Sequence, residues 1–216
     1  MNILEVDSVT YSVMGRQILS DVYIKTQTGR ITTLIGRNGQ GKSSLFKVIY
    51  GTVNAENKSV RLNNTYLRND LYKVKGLINF LPQSSFLPKA LKVKEAFDFF
   101  SMETSDFFEY FPELKFSTAD RLGQLSGGET KLIEAFLVIR SNTLFTILDE
   151  PFVYLMPIYI ERLKEIISHE KKNKGFLVTD HLVREICDIS DDIYYINTGN
   201  VCLTNVERLN RLGFFL

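Results

Sequence analysis

The chain is short of cysteine, of net charge and of long apolar runs, and each shortage removes a class of protein. Cys187 and Cys202 are the only cysteines in 216 residues. Neither sits in a CxxC pair, which excludes a zinc-stapled module and leaves room for one disulfide at most; a reduced, cytoplasmic chain is the expectation. The 26 Lys+Arg set against 25 Asp+Glu leave a net charge of +1. No global field therefore draws the chain to nucleic acid or to an anionic bilayer, and no nucleic-acid partner is expected. No apolar run reaches the roughly 18 to 20 residues of a spanning helix. Glu5 and Asp7 stand where a signal peptide needs its apolar stretch. Repeats, low-complexity tracts, heptad runs and a Pro/Ser linker are also missing. What remains is an ordinary globular composition, 44% apolar and 24% charged, with enough chain to bury a substantial core.

Patterning implies strands alternating with helices. Candidate strands lie over 3–9, 22–26, 31–35, 77–81, 144–148 and 175–179, the β-branched apolar runs being those of buried strands. Hairpins are expected over 60–67 around Asn63 and Asn64, and over 193–203 around Thr198 and Gly199. Helices are expected over 42–50, stopped by Gly51, and over 157–172, opened by Pro157. The middle, 90–140, reads as helical, and half of the chain's 16 phenylalanines fall between positions 86 and 116. The fold expected is α/β: a mixed sheet with helices, an antiparallel N-terminal β part, and one short inserted helical subdomain. The nucleotide-binding core covers 1–83 and 141–216 of a single domain, and the helical subdomain covers 84–140.

Three motifs carry chemistry. Residues 36–43 read GRNGQGKS and match GxxxxGK[ST] between a strand and a helix. Gly36, Asn38, Gly39 and Gly41 let backbone N–H groups converge on phosphate oxygens, and the following helix aims its positive end at the same anion. Lys42 is then placed for the β- and γ-phosphates, with Ser43 for Mg²⁺ and Ser44 beside it. Residues 147–150 read ILDE. An acidic strand end alone is unremarkable. Beside a phosphate loop, Asp149 becomes a Mg²⁺ partner and Glu150 a group able to orient or deprotonate a water. Residues 125–129 read LSGGE and open an apolar helix. Ser126 and Glu129 form an S-x-x-E capping box. Two glycines inside that box are poor helix formers, and suit close approach of the backbone to a phosphate.

In this order the motifs resemble the ATP-binding cassette (ABC) family: the phosphate loop at 36–44, Gln83 after Leu-Pro, LSGGE at 125–129, ILDEP at 147–151, and His181 in Val-Thr-Asp-His. The resemblance spans essentially the whole chain. It implies a P-loop ABC-type core and an ATPase subunit of an ABC transporter, using ATP and Mg²⁺. It implies head-to-tail dimers, homomeric or heteromeric, in which Ser126, Gly127 and Gly128 contact the γ-phosphate held by the partner copy. Gln83 is expected to touch Mg²⁺ or the attacking water, and His181 to hold the geometry of Glu150 and water. Tyr11 is the aromatic expected to stack on adenine. A separate transmembrane permease subunit is implied, with the ATPase peripheral at the inner face of the membrane.

Two departures stand out. The D-loop of the family reads S/G-x-L-D; here Met156 replaces its aspartate, which links the two sites across the dimer. The segment between Gln83 and Ser126 is short for a transporter ATPase, and its phenylalanines serve either a compact core or a docking groove. About 35 residues follow His181, so no appended regulatory domain is expected, and the apolar end at 212–216 should pack on the body. The alternatives to a transporter subunit are a soluble ABC ATPase without a membrane partner and a weakly hydrolysing regulatory module.

Overall fold

The computed structural model describes residues 1–68 and 70–215. Two sheets organise it. The first is antiparallel, with strand order β2-β1-β4-β5, where β1 is Ile3–Val13, β2 Arg16–Gln27, β4 Asn57–Leu62 and β5 Thr65–Tyr66. Asn63 and Asn64 both take left-handed backbone, φ 49° and 64°, so β4 and β5 are joined by the two-residue turn their sequence suggests. The second sheet has the order β10-β9-β3-β8-β7-β6. Its strands are β3 Ile31–Ile35, β6 Ile78–Leu81, β7 Phe145–Asp149, β8 Gly175–Thr179, β9 Asp192–Asn197 and β10 Asn200–Thr204. Neighbours are parallel from β6 to β9, and β10 returns antiparallel on β9.

The parallel core reads as unbroken apolar runs because both faces are covered. Every residue of β3, β7 and β8 is buried. Alternate side chains feed two cores. Ile35, Leu148, Phe176 and Val178 face one cluster, with α4 (Gly127–Arg140) and α5 (Pro157–Glu170). Leu34, Ile147 and Leu177 face the other, with α1 (Lys42–Tyr50) and the antiparallel sheet. The phenylalanine-rich middle belongs to the first cluster. Phe97, Phe107 and Phe111 are fully buried there, with Phe107 and Phe136 meeting edge-on at 5.2 Å.

Several boundaries differ from expectation. β2 begins six residues early, at Arg16, because β1 and β2 form one long hairpin turning at Met14 and Gly15, φ 49° and 77°. The middle is not continuously helical. It holds α2 (Val93–Phe99), α3 (Thr104–Tyr110) and α4, with irregular chain and a short 3-10 turn at Leu122–Gln124 between the last two. Two short helices near the end, α6 (Val183–Ile189) and α7 (Val206–Arg211), were not expected. Phe214 and Phe215 do pack on the body: the Phe214 ring lies 5.8 Å from that of Tyr195, and Arg184 Nη2 donates to the Phe215 carbonyl at 2.7 Å. Leu216 lies outside the described residues. Among the described residues no helix is long and apolar enough to cross a membrane.

Candidate functional site

Because β3, β6, β7 and β8 run parallel, their C-terminal ends meet at one edge of the sheet. The phosphate loop follows β3, Gln83 follows β6 by two residues, Asp149 ends β7, and His181 follows β8 by two. Open α/β sheets gather ligand-binding groups at this edge. A cleft of about 500 Å³ is lined there by Asn38, Gly39, Gly41, Lys42, Ser43 and Ser44, with Gln83, Glu150 and His181 opposite them.

Gly41 takes φ +97° at the N-cap of α1, and a Cβ there would lie 2.9 Å from the Ile18 side chain. Only glycine fits both demands. Gly36 is fixed by contact: a Cβ would sit 2.5 Å from the Ile196 side chain and 2.7 Å from its carbonyl oxygen. Lys42 is buried and folds back over the loop, donating from Nζ to the carbonyls of Gly36 at 2.8 Å and Arg37 at 3.2 Å. Burial lowers its pKa, opposed by the nearby charges of Glu150 and Asp149.

Asp149 is fully buried. Its Oδ1 accepts from Ser43 Oγ at 3.0 Å, while its Oδ2 has no partner. Desolvation raises its pKa and the Ser43 hydrogen bond opposes the rise. A buried carboxylate oxygen left open beside a hydroxyl suits a hard cation such as Mg²⁺. Among the described residues no cluster of three His, Cys, Asp or Glu forms a cage of its own.

Glu150 turns out of β7 with left-handed backbone, φ +56°, and its N–H donates to the Thr179 carbonyl at 2.8 Å. Such a conformation persists only where surroundings enforce it. Gln83 Nε2 donates to its Oε2 at 2.7 Å, and His181 Nε2 lies 2.7 Å from its Oε1. The structure thus brings Gln83, Glu150 and His181 together. Asp180, which sequence reasoning passed over, braces this corner. Its buried carboxylate accepts from the N–H groups of Phe152 and Leu182, both at 2.9 Å.

Ser126, Gly127 and Gly128 line no part of the phosphate-loop cleft. Gly127 lines an adjoining one of about 580 Å³, with Lys131, Tyr154 and the shared Gln83, Glu150 and His181. Ser126 caps α4: its Oγ accepts from the Glu129 N–H at 3.2 Å and donates to Glu129 Oε2 at 2.7 Å. A Cβ on Gly128 would meet the Tyr154 carbonyl at 2.6 Å, whereas Gly127 faces open space. Tyr11 is not at the nucleotide cleft. Bulges in β1 break the register with β2 on either side of it, and it packs half-buried against the N-terminal core. Val13 and Ile18 occupy the mouth instead.

A phosphate loop, a buried carboxylate beside its serine, and a second carboxylate held by an amide and an imidazole define a P-loop nucleotide-binding protein. A family profile described as "ABC transporter" matches residues 19–153. The chain is 30% identical over 220 residues to the lipopolysaccharide export system ATP-binding protein LptB of Haemophilus influenzae, spanning 94% of this chain and 90% of that protein. It is 28% identical over 213 residues to the high-affinity branched-chain amino acid transport ATP-binding protein BraG of Pseudomonas aeruginosa, spanning 93% and 91%. A solved structure described as an ATP-binding subunit of an ABC transporter has the same fold, with a TM-score of 0.81 at 21% identity over 98% of this chain and 93% of that one. The chain belongs to the ABC transporter family, as an ATP-binding subunit.

Proposed function

We propose that the chain hydrolyses ATP to ADP and phosphate, and that the free energy drives closure and reopening of a dimer coupled to a membrane permease. One observation carries the reading: Glu150 faces the phosphate-loop cleft with Gln83 and His181 at its two carboxylate oxygens. The N–H groups of residues 36–43 and the N-terminus of α1 bind the triphosphate, and Lys42 neutralises its β- and γ-oxygens. Ser43 and Asp149 are the residues suited to Mg²⁺, which when bound neutralises charge developing on the phosphates. Glu150 takes the proton of the attacking water, while Gln83 and His181 fix its direction.

On this reading the signature serves a second copy; that Ser126, Gly127 and Gly128 lie outside the phosphate-loop cleft of their own chain supports it. Residues 84–140, read as the helical subdomain, supply a docking face for the permease. Phe99 is 81% exposed, and Phe86, Phe100 and Phe99 follow one another with ring separations of 6.5 and 5.6 Å. An exposed aromatic strip of this kind is a contact surface. Phe99→Ser should leave ATP hydrolysis intact and abolish recovery of the permease with the ATPase from detergent-solubilised membranes.

A regulatory module with little turnover is the second reading, and Met156 at the N-cap of α5 favours it. Steady-state phosphate release from the purified protein, with Mg²⁺ or EDTA and with or without membranes, decides. Mg²⁺-dependent turnover supports the ATPase. Zero turnover in every condition overturns it in favour of the regulatory module.

A further inference from the structure

The loop that carries Gln83 has no regular structure: β6 ends at Leu81 and α2 begins at Val93. Its first half, beside Gln83, is nevertheless held by two buried side chains of α4. Lys131 on α4 is 5% exposed and donates from Nζ to the carbonyls of Pro82 at 2.8 Å and Gln83 at 3.3 Å. Glu134, one turn further along, is 0% exposed. Its Oε1 accepts from Ser85 Oγ at 2.6 Å and from the N–H groups of Phe86 and Leu87 at 2.9 and 3.0 Å. Burying two charges on one helix is costly unless hydrogen bonds compensate, and all five of these bonds go to a single loop.

We propose that Lys131 and Glu134 are positioning residues for Gln83, making α4 the strut that sets where the Gln83 amide meets Glu150. The functional part rests on the hydrolytic reading above. The strut has a mechanical consequence. α4 begins at the signature, so a displacement of Ser126 by a partner's nucleotide moves Lys131 and Glu134 with the helix. Gln83 of the same chain then shifts relative to Glu150. The two nucleotide sites are thereby linked within one chain, a task the missing D-loop aspartate leaves open.

Two measurements test this, one of them independent of catalysis. Amide hydrogen exchange across residues 83–87 should quicken by about tenfold or more in Lys131→Met, which keeps the aliphatic stem and loses the donors. In steady state, Lys131→Met should lower kcat by about tenfold with KM within about twofold of wild type, and Lys131→Arg should recover part of the loss. In a Gln83→Ala background, Lys131→Met should change kcat by less than about twofold, because its effect passes through Gln83. An equal loss in both backgrounds, or unchanged exchange across the loop, overturns the proposal. If Lys131→Met does not fold, Ser85→Ala decides. This exposed residue supplies one of the Glu134 donors, and its loss should quicken exchange at Phe86 and Leu87. Unchanged exchange there overturns the strut. A wild-type protein without ATPase activity refutes the hydrolytic reading alone, and the exchange measurement still tests the strut.

Discussion

The amide of Gln83 donates to Oε2 of Glu150 at 2.7 Å, so the carboxylate proposed as the base is held by a side chain from another strand end. His181 closes on the other oxygen, also at 2.7 Å. Each carboxylate oxygen keeps a second lone pair, so Glu150 can accept from a water while both partners hold its direction. Glu150→Gln preserves the shape and removes the base. It should bind ATP with wild-type affinity, lose turnover by about a hundredfold or more, and accumulate an ATP-bound dimer visible by size-exclusion chromatography. Wild-type turnover in this variant would sink the base assignment.

The two signature glycines are separable by experiment because they face different things. Gly128 lies against the Tyr154 carbonyl, 2.6 Å from where a Cβ would be, and Tyr154 itself is strained, with φ +65°. Gly128→Ala should therefore destabilise the isolated chain, by about 1 to 3 kcal/mol, before any partner is involved. Gly127 has open space in front of it. Gly127→Ala should leave the melting temperature unchanged or slightly raised, since alanine favours helix by up to about 1 kcal/mol. It should still lower ATPase activity, if that open space receives the phosphate of a second copy. Calorimetry and phosphate release on both variants check the contrast. A Gly127→Ala protein as active as wild type would place the signature away from nucleotide.

The residues that sequence reasoning located are those adjacent to strand ends. Asp149, Glu150, Gln83 and His181 each lie within two residues of the end of a parallel strand, and Lys42 opens the helix that follows β3 through the phosphate loop; parallel pairing brings those ends together regardless of the chain between them. Lys131 and Asp180 escaped for the opposite reason. Each is a buried charge with a partner far away in sequence, 49 residues for Lys131 to Pro82 and 28 for Asp180 to Phe152, and no local pattern encodes such a pairing; the Asp180 bond to the Leu182 N–H is local. α6 and α7 have 7 and 6 residues, too few turns for hydrophobic periodicity to emerge. Tyr11 rests on the family resemblance alone; β1 is irregular on either side of it, and its ring packs against the N-terminal core without lining the cleft.

Met156 sits at the N-cap of α5, ahead of Pro157, and offers no side-chain hydrogen bond to the first turn. The helix keeps its favourable proline at the first position and lacks a capping acceptor. Met156→Asp supplies one, together with a negative charge at the positive end of the helix. It should stabilise the protein by about 1 kcal/mol, raising the melting temperature by about 2 to 4 °C. If an aspartate here also joins two sites across a dimer, the same variant should raise ATPase cooperativity. A gain in melting temperature with unchanged kinetics would assign the position to helix capping alone.

Lys174 is 3% exposed and spends its ammonium on the end of α4, donating to the Ile139 carbonyl at 2.7 Å and to that of Ser141. Cations suit helix C-termini, yet burial pulls its pKa from 10.5 down to about 8. The sign of the linkage follows. Between about pH 8 and 10.5 the unfolded chain holds this proton more tightly than the folded one, so Lys174 adds stability as pH rises through that window. The slope is at most about 1.4 kcal/mol per pH unit. Lys174→Met removes it. Tyr23, whose pKa burial raises from 10.0 to about 12, opposes the trend at the upper end but is common to both proteins and cancels in the comparison. Urea unfolding at pH 7.5 and 9.5 should thus show wild type gaining on Lys174→Met as pH rises. Parallel pH dependences would mean that the Lys174 ammonium is as well solvated by its two carbonyls as by water.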